Sequence, residues 1–136
     1  MNIDFTKLEL NKLSPIYIQI VRFIKMGIVS GKIEHGDEMP SRRMLSTMLS
    51  VNPNTVQKAY KQLEEEDLLI SYAGSKSIIS FNENQGLKIK DELIFHETMN
   101  YIEAVKGMGI TLTHAKSIVE ELWNKDVKGD DDIEEL

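Results

Sequence analysis

The chain has 136 residues, with 16 Lys and Arg against 22 Asp and Glu, a formal net charge of −6, 41% hydrophobic residues and no cysteine. Without cysteine there is no disulfide framework, thiolate nucleophile or cysteine zinc site, and the apolar fraction suits a packed core better than a disordered chain. No apolar run approaches the ~18 residues of a membrane span, and MNIDFTKLELNK lacks the basic start and apolar block of a secretory signal, so a soluble cytoplasmic protein is expected.

In chain order, Ser14-Pro15 reads as a helix start, a hydroxyl cap followed by proline at the first helical position. Tyr17, Ile20, Val21, Ile24 and Ile28 then repeat at helical spacing, and Gly31 closes the element. Gly36-Asp37 suits a turn. Ser41 caps a short second helix to about Leu49, and Asn52-Pro53 caps and starts a third to about Glu66. Leu68 to Tyr72 suits a strand, Ala73 to Lys76 a turn, and Ile78, Ile79 and Phe81 a returning strand. Residues 85 to 107 read as one long helix with a broad apolar stripe, and Thr111 caps a last helix carrying Leu112, Ala115, Ile118, Val119, Leu122 and Trp123. The tail KDVKGDDDIEEL is acidic, buries little and is expected to be disordered.

The third helix has two unlike faces. Val56, Ala59, Tyr60 and Leu63 follow the spacing of one buried face. Asn54, Thr55, Gln57, Lys58 and Lys61 lie opposite, and amides, a hydroxyl and lysines are the groups that pair with base edges and phosphates in a major groove. Helix, turn, helix and hairpin in this order make a winged helix-turn-helix the leading reading, with duplex DNA as partner. The charge is compatible with it, because residues 11–80 hold nine Lys and Arg against seven Asp and Glu, while residues 81–136 hold six against thirteen. The acidity sits in the last third, and Arg42, Arg43, Lys58, Lys61 and Lys76 leave a basic patch near the turn.

The series SPIYIQI, HGDEMPSRRMLS, VNPNTVQKAYKQLEEEDLL and the glycine of the wing, Gly74, resembles the N-terminal domain of GntR-type bacterial regulators. The chain length, the VNPNTVQKAY segment and the short two-helix appendage resemble the YtrA-like subfamily, over residues 13 to 124. The resemblance implies a dimeric transcription regulator, usually a repressor, often within operons encoding ABC transporters. It also implies DNA contacts at Arg43, Asn52, Asn54, Thr55, Gln57 and Gly74. The sequence departs from the family at Pro53, where many relatives carry a base-reading arginine, at Ala73 before the wing glycine, and at Lys76, where a second glycine is common.

The expected fold class is therefore mostly α with a small β-hairpin: a winged helix-turn-helix over residues 10–82, a two-helix dimerisation region over 83–125 and an acidic tail over 126–136. The expected DNA-binding set is Arg42, Arg43, Asn52, Asn54, Thr55, Gln57, Lys58, Lys61, Gly74, Ser75 and Lys76. Ion pairing is the alternative role for both Arg42 and Arg43, with Glu38 or the acidic end of the third helix as partner. Helix capping is the second role for Asn52, and Lys58 and Lys61 suit phosphates better than bases. Phe95, Met99, Tyr101, Ile102, Val105, Ile118, Leu122 and Trp123 are expected to join two copies, with a ligand cleft as a further use of those helices. His35, His96 and His114 lie in separate elements without ligand spacing, and Ser41 has no triad partner, so no metal, cofactor or catalytic site is expected. The competing function is a winged-helix module that binds protein and not DNA.

Overall fold

The computed structural model describes residues 2–74 and 76–125. Among the described residues five helices and three strands occur in the order α1 (Ile16–Ser30), β1 (Glu38–Met39), α2 (Arg42–Leu49), α3 (Pro53–Glu65), β2 (Leu69–Tyr72), β3 (Lys76–Ile79), α4 (Glu83–Gly107) and α5 (Leu112–Leu122). The chain divides into two compact units between Leu93 and Ile94, within α4.

In the first unit α3 packs on both α1 and α2. Its Val56, Ala59, Tyr60 and Leu63 are buried against Ile20, Val21, Ile24 and Ile28 of α1 and Leu45 of α2, in one cluster. Burial of apolar surface is the main stabilising term for such a unit. The core also takes side chains from outside residues 10–82. Phe5 is 3% exposed, with its ring 5.3 Å from that of Phe23; Ile89 of α4 is buried and Leu93 packs against the cluster.

The caps explain most helix ends. Ser41 Oγ accepts from the Met44 N–H of α2, and Asn52 Oδ1 accepts from the Asn54 N–H of α3, followed by Pro53. Both satisfy donors that a helix start leaves open. At α1 the expected cap is absent: Pro15 is the cap residue and no side chain accepts from the first turn. Gln19 acts there instead, its Nε2 donating to the Asn11 and Ser14 carbonyls and its Oε1 accepting from the Asn11 N–H.

The expected two-stranded hairpin is a three-stranded antiparallel sheet in the order β1-β3-β2. Glu38 pairs with Ile78 and Met39 with Ser77, while Tyr72 pairs with Lys76 and Ser71 with Ser77. Lys76 therefore belongs to a strand and not to the turn, and Phe81 lies beyond β3.

The second unit contains the end of α4 and the whole of α5. Thr111 Oγ1 accepts from the His114 N–H, as a cap requires. Gly109, at φ 77°, reverses the chain after α4, and the Ile110 N–H returns to the Val105 carbonyl at 2.9 Å. Ala115 is buried, whereas Phe95, Met99, Tyr101, Met108, Leu112 and Trp123 are exposed. The expected disordered tail, residues 126–136, lies outside the described residues.

Candidate nucleic-acid interface

The interface is built on α3. Its four buried residues fix the rotation of the helix, so Asn54, Gln57, Lys58 and Lys61 face solvent, with Thr55 half-buried at the edge of the row. Asn52 spends its Oδ1 on the cap at 2.8 Å and keeps its amide donors on an exposed side chain. The preceding turn is held from inside: buried Ser46 donates to the Val51 carbonyl at 2.6 Å, and Ser50 adopts φ 54° to close α2. A short second helix and a tight turn thus aim the start of α3 away from the core.

The basic side chains fall into three kinds. Arg43, Lys61 and Lys76 are exposed and have no ion-pair partner among the described residues. Lys58 is exposed but stacked, its Nζ 4.2 Å from the centre of the Tyr17 ring of α1, a cation–π contact that restrains the stem and leaves the charge outside. Arg42 differs from both. Its Nη2 donates to Glu64 Oε1 at 2.7 Å, and its Cζ lies 4.8 Å over the Tyr60 ring. Of the two roles foreseen for Arg42, the structure puts its guanidinium into pairing with the acidic end of α3.

Two carboxylates of that acidic end are paired. Glu64 is paired with Arg42 and Glu66 with Lys25 at 2.7 Å, and Gln62 Nε2 donates to Glu66 Oε2 at 2.9 Å. Burial alone would raise the Glu66 carboxyl. The hydrogen bonds from Lys25 and Gln62, with the charges of Lys25 and Lys88, outweigh it and hold the group below its ordinary range. Burial pushes the Tyr60 hydroxyl far above its usual range, with Arg42 pulling weakly the other way. Tyr60 donates to the Pro40 carbonyl and serves as core.

In the wing Gly74 has φ 82°, a conformation that favours glycine, and both Gly74 and Lys76 are exposed. Ser75 lies outside the described residues. Tyr17 and Ser71 are members of the site that the sequence does not show. Tyr17 gave only a core signal, and nothing local marks Ser71 as a partner of α3. Among the described residues no group of His, Asp and Glu could hold a metal ion, and His35 Nδ1 accepts from the Phe81 N–H at 3.1 Å.

In the second unit Ile102, Val105, Ile118 and Leu122 are half-buried, beside the exposed Phe95, Met99, Tyr101 and Trp123. An apolar groove of about 760 Å³ runs between the end of α4 and α5, over Tyr101, Ile102, Val105, Leu112, Ala115 and Val119. Among the described residues no helix is long and apolar enough to cross a membrane.

The comparisons with known proteins agree with this geometry. The family described as "Bacterial regulatory proteins, gntR family" matches residues 16–78. The HTH-type transcriptional repressor YtrA of Bacillus subtilis is 34% identical over 119 residues, covering 86% of this chain and 87% of that protein. A GntR family transcriptional regulator from Listeria monocytogenes superposes with a TM-score of 0.71 at 31% identity, over 82% of this chain and 98% of that one. YtrA from Sulfolobus acidocaldarius, a GntR-family transcription factor, gives a TM-score of 0.52 at 29% identity, over 71% and 99%. With its helix-turn-helix and wing, the chain belongs to the GntR family of DNA-binding transcription regulators.

Proposed function

We propose that the protein is a homodimeric repressor that lays α3 in the major groove of an inverted-repeat operator. The observation that carries this reading is the row Asn54, Thr55, Gln57, Lys58 and Lys61, presented on one face of a helix whose other face is locked into the core. Gln57 and Asn54 offer paired donor and acceptor atoms to base edges, Thr55 reads the edge of the same groove, and Lys58 and Lys61 neutralise phosphates. Arg43, on the first turn of α2, clamps a phosphate or a guanine edge, and Asn52 contacts DNA with the amide left over from its cap. Gly74, Ser75 and Lys76 bring the wing to the adjoining backbone. Repression is drawn from the printed role of the Bacillus subtilis relative, and the resemblance adds a transporter operon as target.

The dimer reading rests on the exposed apolar side chains of the second unit. Phe95 is 61% exposed and Trp123 78%, which a lone chain would leave wet. A second copy seated on this face covers them and fills the groove between α4 and α5. The first unit, which takes Phe5, Ile89 and Leu93 into its core, then acts as the reading unit, and residues 94–125 as the joining unit.

The test is to select bound duplexes from a random-sequence pool with the full-length protein and to weigh the protein by light scattering. The expected result is an inverted repeat with half-site centres ~10 bp or a multiple apart, and the mass of two chains at micromolar concentration. A monomer that selects a single unrepeated element contradicts the dimer. Binding without sequence preference contradicts the reading role of α3.

A further inference from the structure

We infer that Arg42 is a positioning residue, which braces the wing against the recognition helix and does not touch DNA. The inference rests on the reading that α3 and the wing both contact the duplex. Arg42 opens α2, directly after the Ser41 cap. Its Nη2 lies 2.7 Å from Glu64 Oε1 in the last turn of α3 and 3.4 Å from Ser71 Oγ in β2. Ser71 Oγ donates to the same Glu64 oxygen at 2.7 Å and lies 3.3 Å from Ser77 Oγ on β3, its cross-strand neighbour. One carboxylate oxygen thus gathers α2, α3 and the base of the hairpin into a single polar cluster.

A further contact keeps Arg42 in that cluster. Its guanidinium is stacked over Tyr60, whose hydroxyl is tied to the Pro40 carbonyl next to the α2 cap. Its Nε is buried, with no hydrogen-bond partner among the described residues, a cost set against the ion pair and the ring contact. To reach a phosphate the side chain would have to leave an ion pair and a ring at once, while the exposed Arg43 beside it needs no such change. The hairpin beyond Ser71 is otherwise loosely held. β1 pairs with β3 only at Ser77 and Ile78, and Tyr72, Ala73, Gly74 and Lys76 are exposed. The Arg42–Glu64–Ser71 contact ties that outer half to α3, and so sets where Lys76 meets the DNA backbone.

The test uses the full-length chain and a duplex selected by it from a random pool, with affinity read across a salt series. Arg42→Gln is expected to weaken binding roughly five-fold, the size of a partly shielded ion pair, and to lower the slope of log affinity against log salt by no more than Lys76→Ala alone does, because the only phosphate contact it loosens is that of Lys76. The loss should vanish when Lys76→Ala is already present, because the brace acts through the wing. Hydroxyl-radical protection at the wing edge of each half-site should fade. If Arg42→Gln unfolds the protein, the charge swap Arg42→Glu with Glu64→Arg decides: a brace recovers most of the affinity, whereas a glutamate facing phosphate stays weak. A slope lowered by a further ~1 per subunit when Lys76→Ala is already present, unchanged affinity, a loss that adds fully to that of Lys76→Ala, or a swap that stays weak overturns the inference. Lys61→Ala is the control for the underlying reading; if it leaves the slope untouched, the fault lies with α3 as the DNA helix and not with the brace.

Discussion

Arg42 and Arg43 are neighbours of the same type, yet consecutive residues on a helix point ~100° apart. One guanidinium faces Glu64 and the other faces solvent. The sequence favours Arg43 for the DNA contact but leaves ion pairing open for both, because the partners Glu64 and Ser71 stand 22 and 29 positions from Arg42, and such pairing is decided by packing. Arg43→Ala is therefore expected to weaken operator binding by ~1–3 kcal/mol, the worth of a good bidentate base contact. Its thermal midpoint should stay near wild type, since exposed substitutions rarely move stability by more than ~0.5 kcal/mol. Unchanged affinity at moderate salt contradicts that role. Glu66 gives a pH prediction with a definite sign. Its folded carboxyl titrates below its ordinary value of 4.5, so its stabilising contribution is complete above that pH and is lost as pH falls through the lower folded value. Glu66→Gln should lower the urea midpoint modestly at pH 7 and flatten the decline below pH 4.5. A decline as steep as wild type contradicts the assignment.

At the scale of elements, spacing and caps were the legible part. Ser41, Asn52 and Thr111 cap the helices they were expected to cap, because each stands directly before an apolar helical repeat. Ser14 does not, since the chain enters α1 with Gln19 folded back over Asn11 and Ser14. β1 was invisible because two residues carry no periodicity, and its existence depends on β3 being beside it. Backbone strain was equally hidden. Asp67 closes α3 at φ 58°, with the Leu68 N–H reaching the Leu63 carbonyl at 2.9 Å, a helix ending that glycine fits best. Asp67→Gly should raise stability by ~0.5–1 kcal/mol in chemical denaturation; a fall would mean that the aspartate is stabilised by more than its backbone. Gly27 is the opposite case. It is buried in α1, and a Cβ there would sit 2.4 Å from Ile33 Cδ1 and 3.3 Å from Ile33 Cβ. Overpacking costs ~1–3 kcal/mol against the ~1 kcal/mol that alanine gains in a helix. Gly27→Ala should therefore lower the midpoint, and a higher one would show that the segment after α1 yields freely.

At the scale of the whole molecule, a net charge of −6 hides a mildly basic reading region. The structure adds that two of the carboxylates at the end of α3 are paired internally, which limits their repulsion of a phosphate backbone. The extent of the first unit was only partly legible. Phe5 sits among polar residues without a periodic partner, and the burial of Ile89 depends on where α4 begins to pack. A cut at Asn82 would strip Ile89 and Leu93 from the core, so the joining unit should be removed after Leu93 instead. That truncation is expected to leave a folded monomer that binds one half-site weakly, because the second head no longer arrives at high effective concentration. A truncated chain that still binds the full operator as tightly as the intact protein contradicts the joining role of residues beyond Leu93.

The central claim, that α3 reads sequence with one part of its exposed row and grips phosphate with another, is tested most directly by one salt titration. Gln57→Ala and Lys61→Ala would each be titrated against operator and scrambled duplex across a salt series. The account predicts that Gln57→Ala narrows the ratio between the two duplexes and leaves the salt slope alone. Lys61→Ala should weaken both duplexes alike and reduce the slope by ~1 per subunit. Equal effects of the two substitutions on ratio and slope would contradict it.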